Sequence, residues 1–269
     1  MNKVFITIGS FPIYWYSIII VTALFIGITI ADRYSKKLKL SGTLVNDLIL
    51  GLVIWAIIGA RLYYVIFNFK EYQDNIVEAL MIWRGGLAIY GAIIAGIIYI
   101  YKFCRKREVS FITVLDVCSL SLLLGQAMGR WGNFFNSEAY GGITTKEALQ
   151  TLHIPNFIIK GMYIEGSYRT PTFLYESLWC LIGVVILFFI RKKQYNKGKQ
   201  ISFYFLWYGI GRFIIENLRT DSLYIGKYKI SMIVSMILII IGLIGYISTF
   251  IKRHKVNNFA KVGNQDGRI

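Results

Sequence analysis

The sequence predicts an all-α integral membrane protein with seven transmembrane helices. Three observations carry this: 56% of the 269 residues are hydrophobic, only three are proline, and the apolar residues gather into long runs with few charges. A helix crossing a hydrocarbon layer of ~30 Å needs ~20 predominantly apolar residues. Seven segments answer to that description, at about 13–31, 44–67, 86–103, 111–130, 172–190, 201–218 and 230–251. They read as one bundle over residues 1–251 with no second domain, followed by a basic tail, 252–269, expected to be cytoplasmic and disordered.

Only Lys3 precedes the first run, and its basic cluster, Arg33, Lys36, Lys37 and Lys39, comes after it. That order predicts a retained helix rather than a cleaved signal peptide. The second segment carries Arg61 in "IGARLYYV". The third opens with Tyr90 and ends at Lys102, Arg105, Lys106 and Arg107. The fourth leads into "GQAMGRWGNFFNSEAYGG", residues 125–142, and a long connection, about 139–170, follows it. A connection of that length is functional more often than not, and this one is expected on the outer face, helping to admit a substrate or simply covering the site. The fifth segment starts at "TPTFLYES" and is followed by Arg191, Lys192, Lys193, Lys197 and Lys199. The sixth contains "YGIGRFIIENLR", and the seventh is followed by Lys252, Arg253 and Lys255.

Basic residues therefore fill alternate loops. By the positive-inside rule those loops are cytoplasmic, which puts the N-terminus outside and the C-terminus inside. The same rule accounts for the formal net charge of +16, so no nucleic-acid partner is called for. Cys104, Cys118 and Cys180 are odd in number and lack metal-like spacing; they read as packing residues, with no disulfide framework and no metal site.

Charged residues inside a bilayer are costly and normally face the bundle interior. Arg61, Arg130 and Arg212 each lie in the outer half of an even-numbered helix under this topology. Tyr14, Tyr16, Tyr90, Tyr175 and Glu176 lie early in odd-numbered helices, hence also in the outer half. In the fourth helix Asp116, Ser119, Gln126, Arg130 and Asn133 recur at steps of three, seven, four and three, along one face. In the sixth, Tyr208, Arg212, Glu216 and Arg219 follow at four, four and three, and Arg212 reaches Glu216 as an i, i+4 pair. Lipid satisfies none of these groups, so the two seams should face each other or a wet cavity. Packing by interhelical hydrogen bonds and small residues is the competing account. Arginines gathered with few anions favour an anionic ligand, and the planar guanidinium suits phosphate. At that depth the ligand is an anionic phospholipid headgroup.

"GRWGNFFNSEAYG", residues 129–141, resembles the signature of the prolipoprotein diacylglyceryl transferases. The similarity extends to "GARLYYVIF", "RGGLAIYGA", "TPTFLYE" and "YGIGRFIIENLRT", in the expected order, from Pro12 to about residue 250. The resemblance implies an enzyme of the bacterial cytoplasmic membrane. It would move the diacylglyceryl group of phosphatidylglycerol to the lipobox cysteine thiol of a prolipoprotein signal peptide, releasing glycerol-1-phosphate without a cofactor. By motif match Arg130, Asn133, Glu138, Gly141, Tyr16, Arg212, Glu216 and Arg219 correspond to functional positions.

Arg130 and Arg212 are then expected on the phosphate, with Arg61 a third candidate whose alternative is structural. Asn133 and Asn136 would donate to phosphate or glycerol oxygens, and glycine at 132 and 141 would let backbone approach the headgroup. Glu216 would orient Arg212, and Glu138 would either position an arginine or act on the thiol. Two positions depart from the family: Tyr90 and Thr170 stand where many members carry histidine. Tyr90 and Glu138 are thus the candidate proton acceptors. The rival class is a transporter or flippase holding an anionic substrate through the same arginines, although no internal repeat or pair of broken helices supports it.

Overall fold

The computed structural model describes residues 3–73, 75–193, 195–220, 222 and 224–265; for Arg84, Ile225 and 252–265 it describes the backbone only. The interior is largely apolar but takes in several charged and polar groups, and large apolar side chains cover much of the surface. Asp116, Ser119, Glu176 and Glu216 are buried, whereas Leu50, Ile66, Phe189 and Phe250 each expose more than half of their surface. An apolar exterior of this extent suits lipid and not water.

In chain order the elements are a hairpin of β1 (Val4–Ile8) and β2 (Phe11–Tyr14), then α1 (Trp15–Lys37), α2 (Leu44–Phe67), α3 (Ile89–Lys106) and α4 (Phe111–Asn136). The long connection between α4 and the next long helix follows, with β3 (Ile143–Thr144), α5 (Lys146–Thr151), α6 (Asn156–Gly161), β4 (Tyr163–Ile164) and β5 (Ser167–Arg169). The chain ends with α7 (Thr172–Lys192), α8 (Lys199–Glu216), β6 (Tyr224–Ile225), β7 (Tyr228–Lys229) and α9 (Ile230–Gln265).

Among the described residues five helices are long and apolar enough to cross a membrane: α1, α2, α4, α7 and the Ile230–Ile251 part of α9. The sequence reading has seven. The other two long helices, α3 and α8, have 18 residues each and carry three charges apiece, Lys102, Arg105 and Lys106 in one and Lys199, Arg212 and Glu216 in the other. The chain is thus a multi-pass helical membrane protein. The all-α expectation needs one correction, because short strands fill the connections. Apart from the β1–β2 hairpin that precedes α1, these strands have two or three residues and show no period that a sequence pattern could register. A second difference lies at the C-terminus: the backbone of 252–265 continues α9 where the sequence reading expects disorder, with no proline to stop it. Residues 266–269 lie outside the described residues.

Packing divides the chain into two compact units. One joins the chain up to Ile30 with the chain from Cys118 onward; the other is Ala31–Val117. The breaks fall inside α1 and α4 rather than in loops, which is why the sequence reads as one bundle. In the second unit α2 packs on α3 through missing side chains: a Cβ on Gly59 would come within 2.6 Å of the Gly91 carbonyl oxygen. Close backbone approach of this kind supplies the van der Waals contact that holds helices together in lipid.

In the first unit α8 packs on α9 at Gly209 and Gly242. A reciprocal clasp fixes α7 on α8. Trp179 Nε1 donates to the Trp207 carbonyl and Trp207 Nε1 to the Trp179 carbonyl, both at 2.9 Å. The indoles stack at 4.4 Å, and each lies on a glycine of the opposite helix, Trp179 on Gly211 and Trp207 on Gly183. The clasp sets the helical register three residues from Glu176 and one from Arg212. The 139–170 connection is ordered around its own core, in which Leu149, Ile158, Ile159 and Met162 pack with Phe134 and Phe173. Its strands form an antiparallel sheet in the order β3-β5-β4, and Thr145 caps α5 by accepting from the Ala148 N–H at 3.1 Å.

Candidate active site

The two polar seams meet within the first unit. Gln126 on α4 donates to the Tyr204 hydroxyl on α8 at 2.9 Å, and the Tyr204 and Tyr208 rings stack at 5.9 Å one turn apart. One turn further along each helix stand Arg130 and Arg212. Between them lies Glu176 of α7, 4% exposed. Its Oε2 receives Arg130 Nη2 at 2.7 Å, its Oε1 receives Arg212 Nη1 at 2.8 Å, and Arg219 Nη1 lies 3.6 Å from Oε1. Arg212 Nη2 also stands 2.5 Å from Glu216 Oε2, a charge contact without hydrogen-bond alignment.

Two carboxylates therefore serve three guanidiniums, leaving a formal excess of one positive charge among these five side chains. The sequence reading expects few anions near the arginines; the fold supplies two. Each guanidinium presents five N–H donors, and Arg212 commits only two nitrogens to these carboxylates. The pairing makes burial tolerable and leaves donors for a ligand.

Asn133 continues the network. Its Oδ1 accepts from Arg130 Nη1 at 3.3 Å and its Nδ2 donates to Glu138 Oε1 at 2.8 Å. Asn136 Nδ2 reaches the same oxygen at 3.4 Å. Helix termination creates this geometry. Ser137, at φ +55°, turns the chain; its N–H donates to the Phe134 carbonyl and that of Glu138 to the Asn133 carbonyl, at 3.1 and 3.0 Å. This is a Schellman ending, and it folds Glu138 back over the last turn of α4.

Both candidate glycines are filled by protein rather than left open. A Cβ on Gly132 would lie 2.6 Å from the Tyr16 ring, and one on Gly141 would lie 2.8 Å from the Thr170 Cβ and 2.9 Å from the Leu218 carbonyl oxygen. Gly132 therefore seats Tyr16 against α4. Gly141 forms an antiparallel bridge with Arg219, and its N–H donates to the Thr170 carbonyl at 2.9 Å. Thr170 Oγ1 donates to the Gly142 carbonyl at 3.1 Å, so this threonine ties the two ends of the 139–170 connection together.

Arg61 and Tyr90 belong to the second unit. Arg61 is held by four backbone carbonyls: Ala79 at 2.8 Å, Glu78 at 2.7 Å, Gly85 at 2.6 Å and Gly86 at 3.0 Å. It clamps the segment between α2 and α3, the structural alternative left open by the sequence. Tyr90, half-buried, is the second residue of α3.

Two side chains were underread. The sequence reading gives Glu176 no role, although a carboxylate early in a helix between arginine-bearing segments is a usable signal. Arg191, counted among the basic loop residues, is buried; its Nε donates to Gln200 Oε1 at 2.7 Å and its Nη2 reaches Ser119 Oγ at 3.4 Å.

A multi-pass helical bundle with a buried, net-positive arginine–glutamate cluster defines a class of membrane protein whose polar site lies inside an apolar fold. The sequence profile described as prolipoprotein diacylglyceryl transferase matches residues 3–248, and the chain belongs to that family. It is 45% identical over 241 residues to the phosphatidylglycerol–prolipoprotein diacylglyceryl transferase of Halalkalibacterium halodurans, covering 89% of this chain and 83% of the relative. It is 43% identical over 259 residues to the protein of that name from Listeria monocytogenes serotype 4b, covering 96% and 92%. A Bacillus cereus relative of the same name is 45% identical over 244 residues, covering 91% and 90%.

Proposed function

We propose that this protein transfers the diacylglyceryl group of phosphatidylglycerol to the lipobox cysteine of a prolipoprotein signal peptide, the first step of lipoprotein maturation in a bacterial cytoplasmic membrane. The observation that carries the reading is the sharing of Glu176 by Arg130 and Arg212 in a chain of this family. All seven long helices cross the bilayer in this reading, with the N-terminus outside, the C-terminus inside, and the 139–170 connection on the outer side, where it helps admit the signal peptide.

The thiolate sulfur attacks the glyceryl carbon that bears the phosphate. The carbon–oxygen bond breaks with its electron pair going to oxygen, a thioether forms, and glycerol-1-phosphate leaves. Negative charge grows on the leaving phosphate, and guanidiniums fixed in a low-dielectric site stabilise it without reorganising. Glu176 and Glu216 hold Arg130, Arg212 and Arg219 in place before substrate arrives. Asn133 and Asn136 donate to phosphate or glycerol oxygens, and Tyr16 shapes the wall beside Gly132. A cysteine thiol has an unperturbed pKa of ~8.5 and is partly ionised near neutrality; Glu138 takes its proton, and Tyr90, at the family's histidine position, is the alternative acceptor only as its phenolate. The displacement needs no metal or organic cofactor.

The test is glycerol-1-phosphate release from phosphatidylglycerol by the purified protein with a lipobox peptide. Release that requires cysteine and is lost with a serine-substituted peptide supports thiol-directed transfer. No release from folded, lipid-binding protein overturns it.

A further inference from the structure

We infer that the groove between the N-terminal end of α2 and the basic C-terminal end of α3 is a binding site for an anionic phospholipid, carried wholly by the second unit and separate in function from the arginine–glutamate cluster. The groove encloses about 560 Å³, within the ~300–1,000 Å³ range of ligand pockets. Its wall is apolar, built from Trp55, Ala95 and Ile98, and its rim carries Lys102, Lys106 and Arg107. The floor is preformed. Gly51 has no side chain to obstruct Tyr99, whose hydroxyl crosses to α2 and donates to the Asp47 carbonyl at 3.3 Å.

The rim charges are not equivalent. Arg107 is paired with the Asp47 carboxylate, which neutralises both. Lys102 and Lys106, one helical turn apart, have no carboxylate partner among the described residues. Two like charges at i, i+4 repel, and an anion between them removes that cost. Below the ammonium groups the surface turns apolar, with Trp55 and Ile98 each about half exposed. A free inorganic anion has no use for such a wall, whereas a phospholipid places phosphate on the lysines and acyl chain along Trp55 and Ile98. The positive-inside rule puts this end on the cytoplasmic side, the leaflet whose anionic lipids attract basic residues near its surface.

The test uses Trp55 as a reporter that a catalytic reading leaves untouched. The protein, with the chemistry disabled by Arg130→Ala, is placed in phosphatidylcholine vesicles containing equal small amounts of brominated phosphatidylserine or brominated phosphatidylcholine. The groove's signal is the quenching lost in Trp55→Phe. Brominated phosphatidylserine should be enriched at Trp55 by about fivefold or more over phosphatidylcholine, given roughly 1 kcal/mol per basic residue near the surface. The preference should fall to near unity in Lys102→Gln/Lys106→Gln and should be unaffected by millimolar inorganic phosphate. Equal quenching by both lipids overturns the proposal, and so does displacement by phosphate, which would mean an ion site. Should the double variant fail to fold, the lipid comparison in the Lys102- and Lys106-bearing protein decides alone. None of these outcomes depends on whether the chain transfers a diacylglyceryl group.

Discussion

Glu176 shows how much one side chain organises. It joins helix-borne arginines from α4 and α8, and removing one partner of a buried pair costs about 3–5 kcal/mol, because the remaining charge stays buried. Glu176→Gln should lower diacylglyceryl transfer by on the order of 10²-fold and lower the melting temperature in detergent, with Glu176→Asp recovering part of both. Activity unchanged in Glu176→Gln, at equal protein, would remove the carboxylate from the mechanism. The proton acceptor is decided by a second pair of variants. If Glu138 takes the thiol proton, Glu138→Gln loses turnover mainly below the thiol pKa and regains part of it as pH rises, since hydroxide then supplies the thiolate. Tyr90→Phe should leave that profile in place; a collapse with Tyr90→Phe alone would assign the role to tyrosine.

Element packing delivers those residues to each other. The tryptophan clasp sets α7 against α8, and the Schellman ending of α4 sets Glu138 over Asn133. Tyr16 depends on the flat face left by Gly132. Gly132→Ala should destabilise the protein by about 1–3 kcal/mol through overpacking, read as a lower melting temperature. Adding Tyr16→Ala should restore stability without restoring transfer, because it removes both the clash and the wall. If Gly132→Ala melts like the unaltered protein, the contact is not what requires glycine there.

At the scale of the whole molecule, orientation is the open physical quantity, and impermeant thiol labelling of intact cells measures it. Leu152 in the 139–170 connection and Lys193 after α7 are both exposed. In a background with Cys104, Cys118 and Cys180 replaced, Leu152→Cys should react from outside and Lys193→Cys only after lysis. The reverse pattern would invert the topology read from the alternating basic loops.

The sequence by itself determined the solvent and the helices, because apolar run length and interrupted charge are local properties of the chain. It also marked Arg130, Asn133, Arg212 and Glu216, since helical spacing puts them on two faces that lipid does not satisfy, and Glu138 through its likeness to the family signature. The short strands, the ordered 139–170 connection and the two-unit packing escaped it, being sustained by contacts distant in sequence. The tertiary structure alone decided which partners each charge has. Arg61 was as plausible as Arg130 while only spacing was known; one ends among backbone carbonyls and the other on a shared carboxylate. A guanidinium's role is set by which acceptors reach it in space, and no period along the chain encodes that.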